Sequence, residues 1–142
     1  MSVIADIADA VVTELNAHMF SQAVAAARAY LPRYDLAEMK DLHVTVVPKG
    51  VEIDVSSRTL AQHDYSIDIA VQKRLSGDDQ SDMDGLMGLV EEVADFFRQR
   101  RLAQYPAAIW VKTVNVPIYA PDHLDQMRQF TSVLTLTFRV LR

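Results

Sequence analysis

The residues best spaced to do chemistry are Asp82-Met83-Asp84-Gly85, with Glu91 further on. With Gly85 at the sixth place of a twelve-residue calcium loop, Asp82 and Asp84 take the third and fifth places. Glu91 takes the twelfth, where such a loop needs a bidentate carboxylate. The first place falls on Gln80, which brings no charge. The chain leading into Gly77-Asp78 alternates like a strand, whereas this kind of loop needs a helix on both sides. Ser81 and Asp84 instead have the spacing of a capping box, and acids favour the positive end of a helix dipole. Asp78, Asp79, Asp82 and Asp84 are therefore read as the start of a helix rather than as a metal site.

Other constellations are weaker. His18, His43, His63 and His123 are scattered, and no pair has the spacing that presents two metal ligands on one helical face. His63-Asp64 with Ser56 and Ser57 supplies the residue types of a hydrolytic triad, but the nucleophile-elbow pattern is missing. Glu38-Met39-Lys40 after Asp35 reads as a solvated charge cluster on a turn. The four glycines form no phosphate-binding fingerprint, and without cysteine there is no thiolate chemistry and no disulfide. The expectation is a non-enzymatic protein with no cofactor and no metal.

Composition narrows the classes further. Half of the 142 residues are apolar, 23% are charged, and the net charge is −5. That balance suits one globular domain spanning residues 1–142. No clustered cations mark a nucleic-acid surface. Arg98, Arg100 and Arg101 are read as ending a helix, where cations complement its dipole. The N-terminus has no basic region of a signal peptide, and no apolar run approaches the roughly 20 residues needed to cross a bilayer. A soluble protein made inside the cell, with no membrane partner, is expected.

The elements that would position these residues follow from periodicity. Residues 2–16 read as an amphipathic helix capped by Ser2, with Ile4, Ile7, Val11 and Leu15 on its stripe and Glu14 largely off it. Residues 20–30 lean towards strand. Residues 43–47 and 51–55 read as two strands of a hairpin turning at Pro48-Lys49-Gly50. Tyr65, Ile67, Ile69 and Val71 alternate as a half-buried strand. Leu86, Val90, Val93 and Phe97 form the stripe of a second helix. Residues 107–116 and 130–141 read as strands, and Asp122 as the cap of a turn through Leu124 and Met127.

The order predicts an α+β fold: a mostly antiparallel sheet of about five to six strands, with two main helices packed on one face. Val111, Val114 and Val116 around Trp110, together with Val133 and Leu141, put apolar side chains on both faces of the sheet. Something must cover them, either the protein's own helices or a second copy. The candidate interaction surfaces are residues 76–84, residues 117–128 and the strand edges, with Asp78, Asp79, Asp82, Asp84, Tyr119, Asp122 and His123 as the interface residues.

Several stretches follow one another in a familiar order: Tyr30-Leu31-Pro32-Arg33-Tyr34-Asp35-Leu36, Val44-Thr45-Val46-Val47-Pro48, Val55-Ser56-Ser57-Arg58 and Ile67-Asp68-Ile69-Ala70-Val71-Gln72-Lys73. Leu89-Val90-Glu91-Glu92-Val93-Ala94-Asp95-Phe96-Phe97 and Phe130-Thr131-Ser132-Val133-Leu134-Thr135-Leu136-Thr137-Phe138 complete the series. Over nearly its whole length the chain resembles the tail-terminator (tail-completion) proteins of long-tailed bacteriophages. The resemblance implies a virion structural protein that forms a ring, typically hexameric, on the head-proximal end of the tail tube. Its partners would be copies of itself, the tail tube protein and the head-tail connector protein, with genome DNA passing through the channel. A head-to-tail connector or neck adaptor is the alternative, and a small enzymatic or metal-binding domain a third.

Overall fold

The computed structural model describes residues 2–30, 41–75, 79–122, 124 and 128–142. Its elements are α1 (Val3–Ala17), β1 (Ala26–Arg28), β2 (His43–Val55), β3 (Ala61–Arg74), α2 (Asp79–Phe97), β4 (Ile109–Val114) and β5 (Gln129–Leu141). The expected α+β architecture is present: five strands in the order β1-β2-β3-β5-β4, antiparallel throughout except for β1 beside β2.

Ser2 caps α1, its hydroxyl accepting from the Ala5 N–H, and Ile7, Val11 and Leu15 are buried as their spacing predicts. The end of α1 is tied to β1 by one side chain. Asn16 donates to the Ala26 carbonyl (3.1 Å) and accepts from the Ala26 N–H (2.7 Å). Only Ala26–Arg28 of the expected 20–30 strand pairs, in parallel with Val44–Val46.

The expected hairpin at Pro48-Lys49-Gly50 does not form. β2 runs straight through those residues with a bulge between Pro48 and Gly50, and the chain reverses at Ser56–Leu60. A bulge absorbs one unpaired residue while the ladder continues, so turn-type residues can sit inside a strand. The Ser57 hydroxyl accepts from the Thr59 and Leu60 N–H groups and closes the real turn.

In α2, Leu86, Leu89, Val90, Val93 and Phe97 are buried on one stripe. The helix begins at Asp79, so Ser81 lies inside its first turn rather than capping it. It ends at Phe97, which leaves Arg98, Arg100 and Arg101 beyond its last turn. Arg100 is occupied elsewhere: it pairs with Glu14 (2.9 Å) and lies over the Phe96 ring (4.0 Å to the centroid). Glu14, expected off the α1 stripe, is buried, and its other oxygen accepts from the Ala103 N–H (3.0 Å).

Both helices pack on the same face of the sheet. There Val46, Tyr65, Ile67, Ile69, Leu134, Leu136 and Phe138 join the α1 and α2 stripes in one core. That core burial drives the fold, each large side chain contributing about 1.5–3 kcal/mol. Among the described residues, no helix is long and apolar enough to cross a membrane.

Candidate functional site

The start of α2 and the segment after β4 are about forty residues apart in sequence, yet they meet at one end of the sheet. The Leu75 N–H donates to the Arg128 carbonyl (2.8 Å) and the Ala120 N–H to the Thr131 carbonyl (2.8 Å), which brings both segments onto the β3 and β5 ends. Between them lies an open cleft of about 590 Å³, lined by Gln80, Met83, Tyr119 and Leu124, with Arg128 at its edge.

The structure thus brings Tyr119 against the first turns of α2, and Asp122 next to the cleft residue Pro121. Asp82 lines a separate, smaller cleft with Lys73 and Arg74. Asp84 and Asp122 are exposed. Asp79 opens α2, while Asp78 and His123 lie outside the described residues, as do Asp35, Glu38 and Lys40. Leu124 donates its N–H to the Ala120 carbonyl (3.2 Å), so Asp122 sits inside that turn rather than capping it.

The helical start of α2 also disposes of the calcium reading. Asp82, Asp84 and Gly85 have helical backbone, whereas a calcium loop curls its ligands inward around a sharp non-helical turn. The triad residue types are separated too. His63 points to the core side of β3, stacked on Tyr65 with ring centroids 6.0 Å apart, while Asp64 points to the opposite face. Asp64 there forms a two-toothed pair with Arg139 (2.8 and 3.2 Å). Hydrogen bonding from Arg139 holds the Asp64 carboxyl below its ordinary value; partial burial opposes this, and the charges of Arg139 and Lys112 add to it. Among the described residues, no group of three His, Asp or Glu is placed to hold a metal.

A second feature was not anticipated from the sequence. The far end of the β2–β3 hairpin extends past the helices, and every residue from Val51 to Leu60 is exposed. Val51, Ile53 and Val55 continue the core-facing row of β2 but have nothing above them; Val55 is 87% exposed. Glu52 and Asp54 occupy the other face. Their alternation was legible, but the length of sheet the two helices would leave bare was not.

The opposite margin is also uncovered. Ile109, Val114 and Val116 are exposed, Val116 by 83%, and Leu141 by about half. The protein's own helices do not cover these residues, because both helices lie on the other face of the sheet. On the helix side of β4 a groove of about 330 Å³ opens between α2 and the strand, lined by Val90, Ala94, Trp110, Thr113 and Leu134 and rimmed by Glu91 and Arg98. Charge is spread across the other face: Glu52 and Asp54 on β2, Asp64 on β3, Arg139 on β5 and Lys112 on β4. The strands are not each of one sign, since Lys49 on β2 pairs with Asp68 on β3 (3.9 Å).

No protein-family model and no curated protein sequence matches the chain. Among solved structures it is similar to a chain from the "Virion of native gene transfer agent (GTA) particle", with a TM-score of 0.58 and 15% identity, covering 100% of both chains. At that identity the likeness is one of fold, and it extends over the full length of both molecules.

Proposed function

We propose that this chain is a non-enzymatic structural protein of a phage-like virion, and within that class a tail terminator. In this reading it forms a closed ring on the head-proximal end of the tail tube, ends tube growth and offers a surface for head attachment. The observation that carries the reading is the fold shared end to end with a chain of a virion particle. Two uncovered sheet margins add to it, since a ring needs two different surfaces on each subunit.

The end of the molecule built from the start of α2 and residues 119–124 is the proposed axial contact with the tail tube or the connector. Of the expected interface residues, Asp79, Asp82, Asp84, Tyr119 and Asp122 are on the segments that form it, and Asp78 and His123 adjoin those segments in sequence. Acidic groups facing the channel would repel the phosphates of passing DNA.

Native mass by light scattering, over a range of concentrations and with purified tail tubes, tests the reading. Closed rings alone, or a monomer that becomes a ring on tube ends seen by electron microscopy, are expected. A chain that stays monomeric and ignores tubes would sink it. Binding to the portal end of isolated heads but not to tubes would favour the connector instead.

A further inference from the structure

We infer that the far end of the β2–β3 hairpin is a docking edge for another protein. Its occupant is an extended segment in which apolar residues alternate with Lys or Arg. The segment lies along residues 51–55, in line with β1, and adds a strand to the sheet. This inference goes beyond the ring reading and does not depend on it.

The backbone edge is open. Among the described residues, β1 covers β2 only at residues 44–46, and the Ala29 N–H donates to the Val46 carbonyl (3.0 Å). From Val51 to Val55 β2 pairs with β3 alone, and every residue there is exposed. An open edge is a template for a further strand, and proteins blunt such edges with proline and bulges. Pro48 and the bulge before Gly50 do this at the root of the hairpin, but the residues beyond them form a regular ladder.

The helix side of this edge is apolar. Val51, Ile53 and Val55 stand there at every second position, and all three are exposed. Apolar side chains of an added strand pack on that row. At its root a cleft of about 370 Å³ opens between α1 and β2, lined by Ile4, Ala5, Tyr30, Pro48 and Val51. One bulky apolar side chain of the occupant fits this cleft and fixes how far the strand can slide.

The other face decides the charge. Glu52 and Asp54 point away from the helices, and neither has an ion pair among the described residues. Glu52 stands directly opposite Asp64, and like charges opposite each other on paired strands repel. Asp64 holds the Arg139 guanidinium (2.8 and 3.2 Å), so that cation is already committed. Two cations at alternate positions of an added strand face Glu52 and Asp54 and supply the missing countercharge. The same acids select against a second copy of this chain, because two hairpins laid edge to edge bring acid against acid.

Synthetic peptides test the docking edge on the purified chain, with binding read by fluorescence anisotropy. The probe is a labelled peptide of strand length alternating isoleucine and lysine, and its control carries glutamate in place of lysine. The lysine peptide is expected to bind about tenfold or more tightly than the control. Glu52→Lys combined with Asp54→Lys, both at exposed positions and checked for folding by circular dichroism, is expected to reverse that preference. Methylating the backbone amides of the lysine peptide is expected to abolish binding, since strand addition uses main-chain hydrogen bonds and loose charge attraction does not. Two peptides that bind alike, methylation without effect, or no binding by either would overturn the docking edge. So would hairpins that pair with each other, seen as a doubled native mass that Ile53→Asp returns to the monomer. The peptide results leave the ring reading untouched, because that reading stands or falls on assembly with tail tubes.

Discussion

Glu14 shows how a single charged residue can hold distant parts of a chain. Its carboxylate takes the Arg100 guanidinium and the Ala103 N–H together, so α1 is fastened to the turn after α2. Removing it leaves a buried amide without an acceptor and a guanidinium without its counter-charge. Glu14→Ala is expected to lower unfolding stability by about 2–3 kcal/mol, read by urea denaturation. A loss below about 0.5 kcal/mol would mean that water replaces both bonds. Glu14 follows Val11 by three residues and Ile7 by seven, the spacing of the buried side, yet its charge placed it off the stripe in the sequence reading, and the burial contradicts that. Its partner, 86 residues on, was not legible.

Asp64 makes a pH-dependent contribution. Its folded carboxyl is held below the unfolded value, mainly by hydrogen bonds from Arg139. The folded state therefore gains stability from the ionised form above the unfolded value near 3.8, and loses it as pH falls through the lower folded value. Asp64→Asn is expected to lower the melting temperature at pH 7, with the gap to wild type narrowing below about pH 4. A gap that persists unchanged into acid would locate the effect in packing rather than in charge.

At the scale of elements, α2 was readable because buried residues recur at helical spacing from Leu86 to Phe97, about three turns, a signal that needs no partner to interpret. Its interior nevertheless contains Gly85 and Gly88, which cost helix stability through backbone entropy. A Cβ at Gly88 would meet nothing within 4 Å. Gly88→Ala is therefore expected to stabilise the protein by about 0.5–1 kcal/mol in thermal or urea unfolding, and a loss would show that the helix is strained there. β2 was misread because Pro-Lys-Gly suits a turn and a bulge alike, and only pairing with β3 decides between them. The meeting of α2's start with residues 119–124 was illegible for the same reason: it is made by strand ends, through backbone bonds that no side-chain pattern announces.

At the scale of the molecule, the uncovered sheet margins carry exposed charges beside their apolar residues, Glu52 and Asp54 at the far end of β2 and Lys112 on β4. Association through those margins should respond to salt. Raising ionic strength from about 0.1 to about 1 M shortens the screening length from about 10 to about 3 Å. Assembly followed by light scattering is expected to shift to higher protein concentration over that range. Indifference to salt would leave apolar packing as the whole source of the contact.

The place of β5 carries a consequence for the timing of synthesis. It is the most C-terminal of the described strands, yet it lies inside the sheet, between β3 and β4, rather than at a margin. While the ribosome still holds residues 129–141, β3 lacks a neighbour, β4 has nothing to pair with, and Phe130, Leu134 and Phe138 are missing from the core. A nascent chain can form its first helix and its long hairpin, but it cannot present a finished β4 edge. A translation product cut short before β5 would carry the β2–β3 hairpin with the whole β3 edge open, a template for unintended strand pairing.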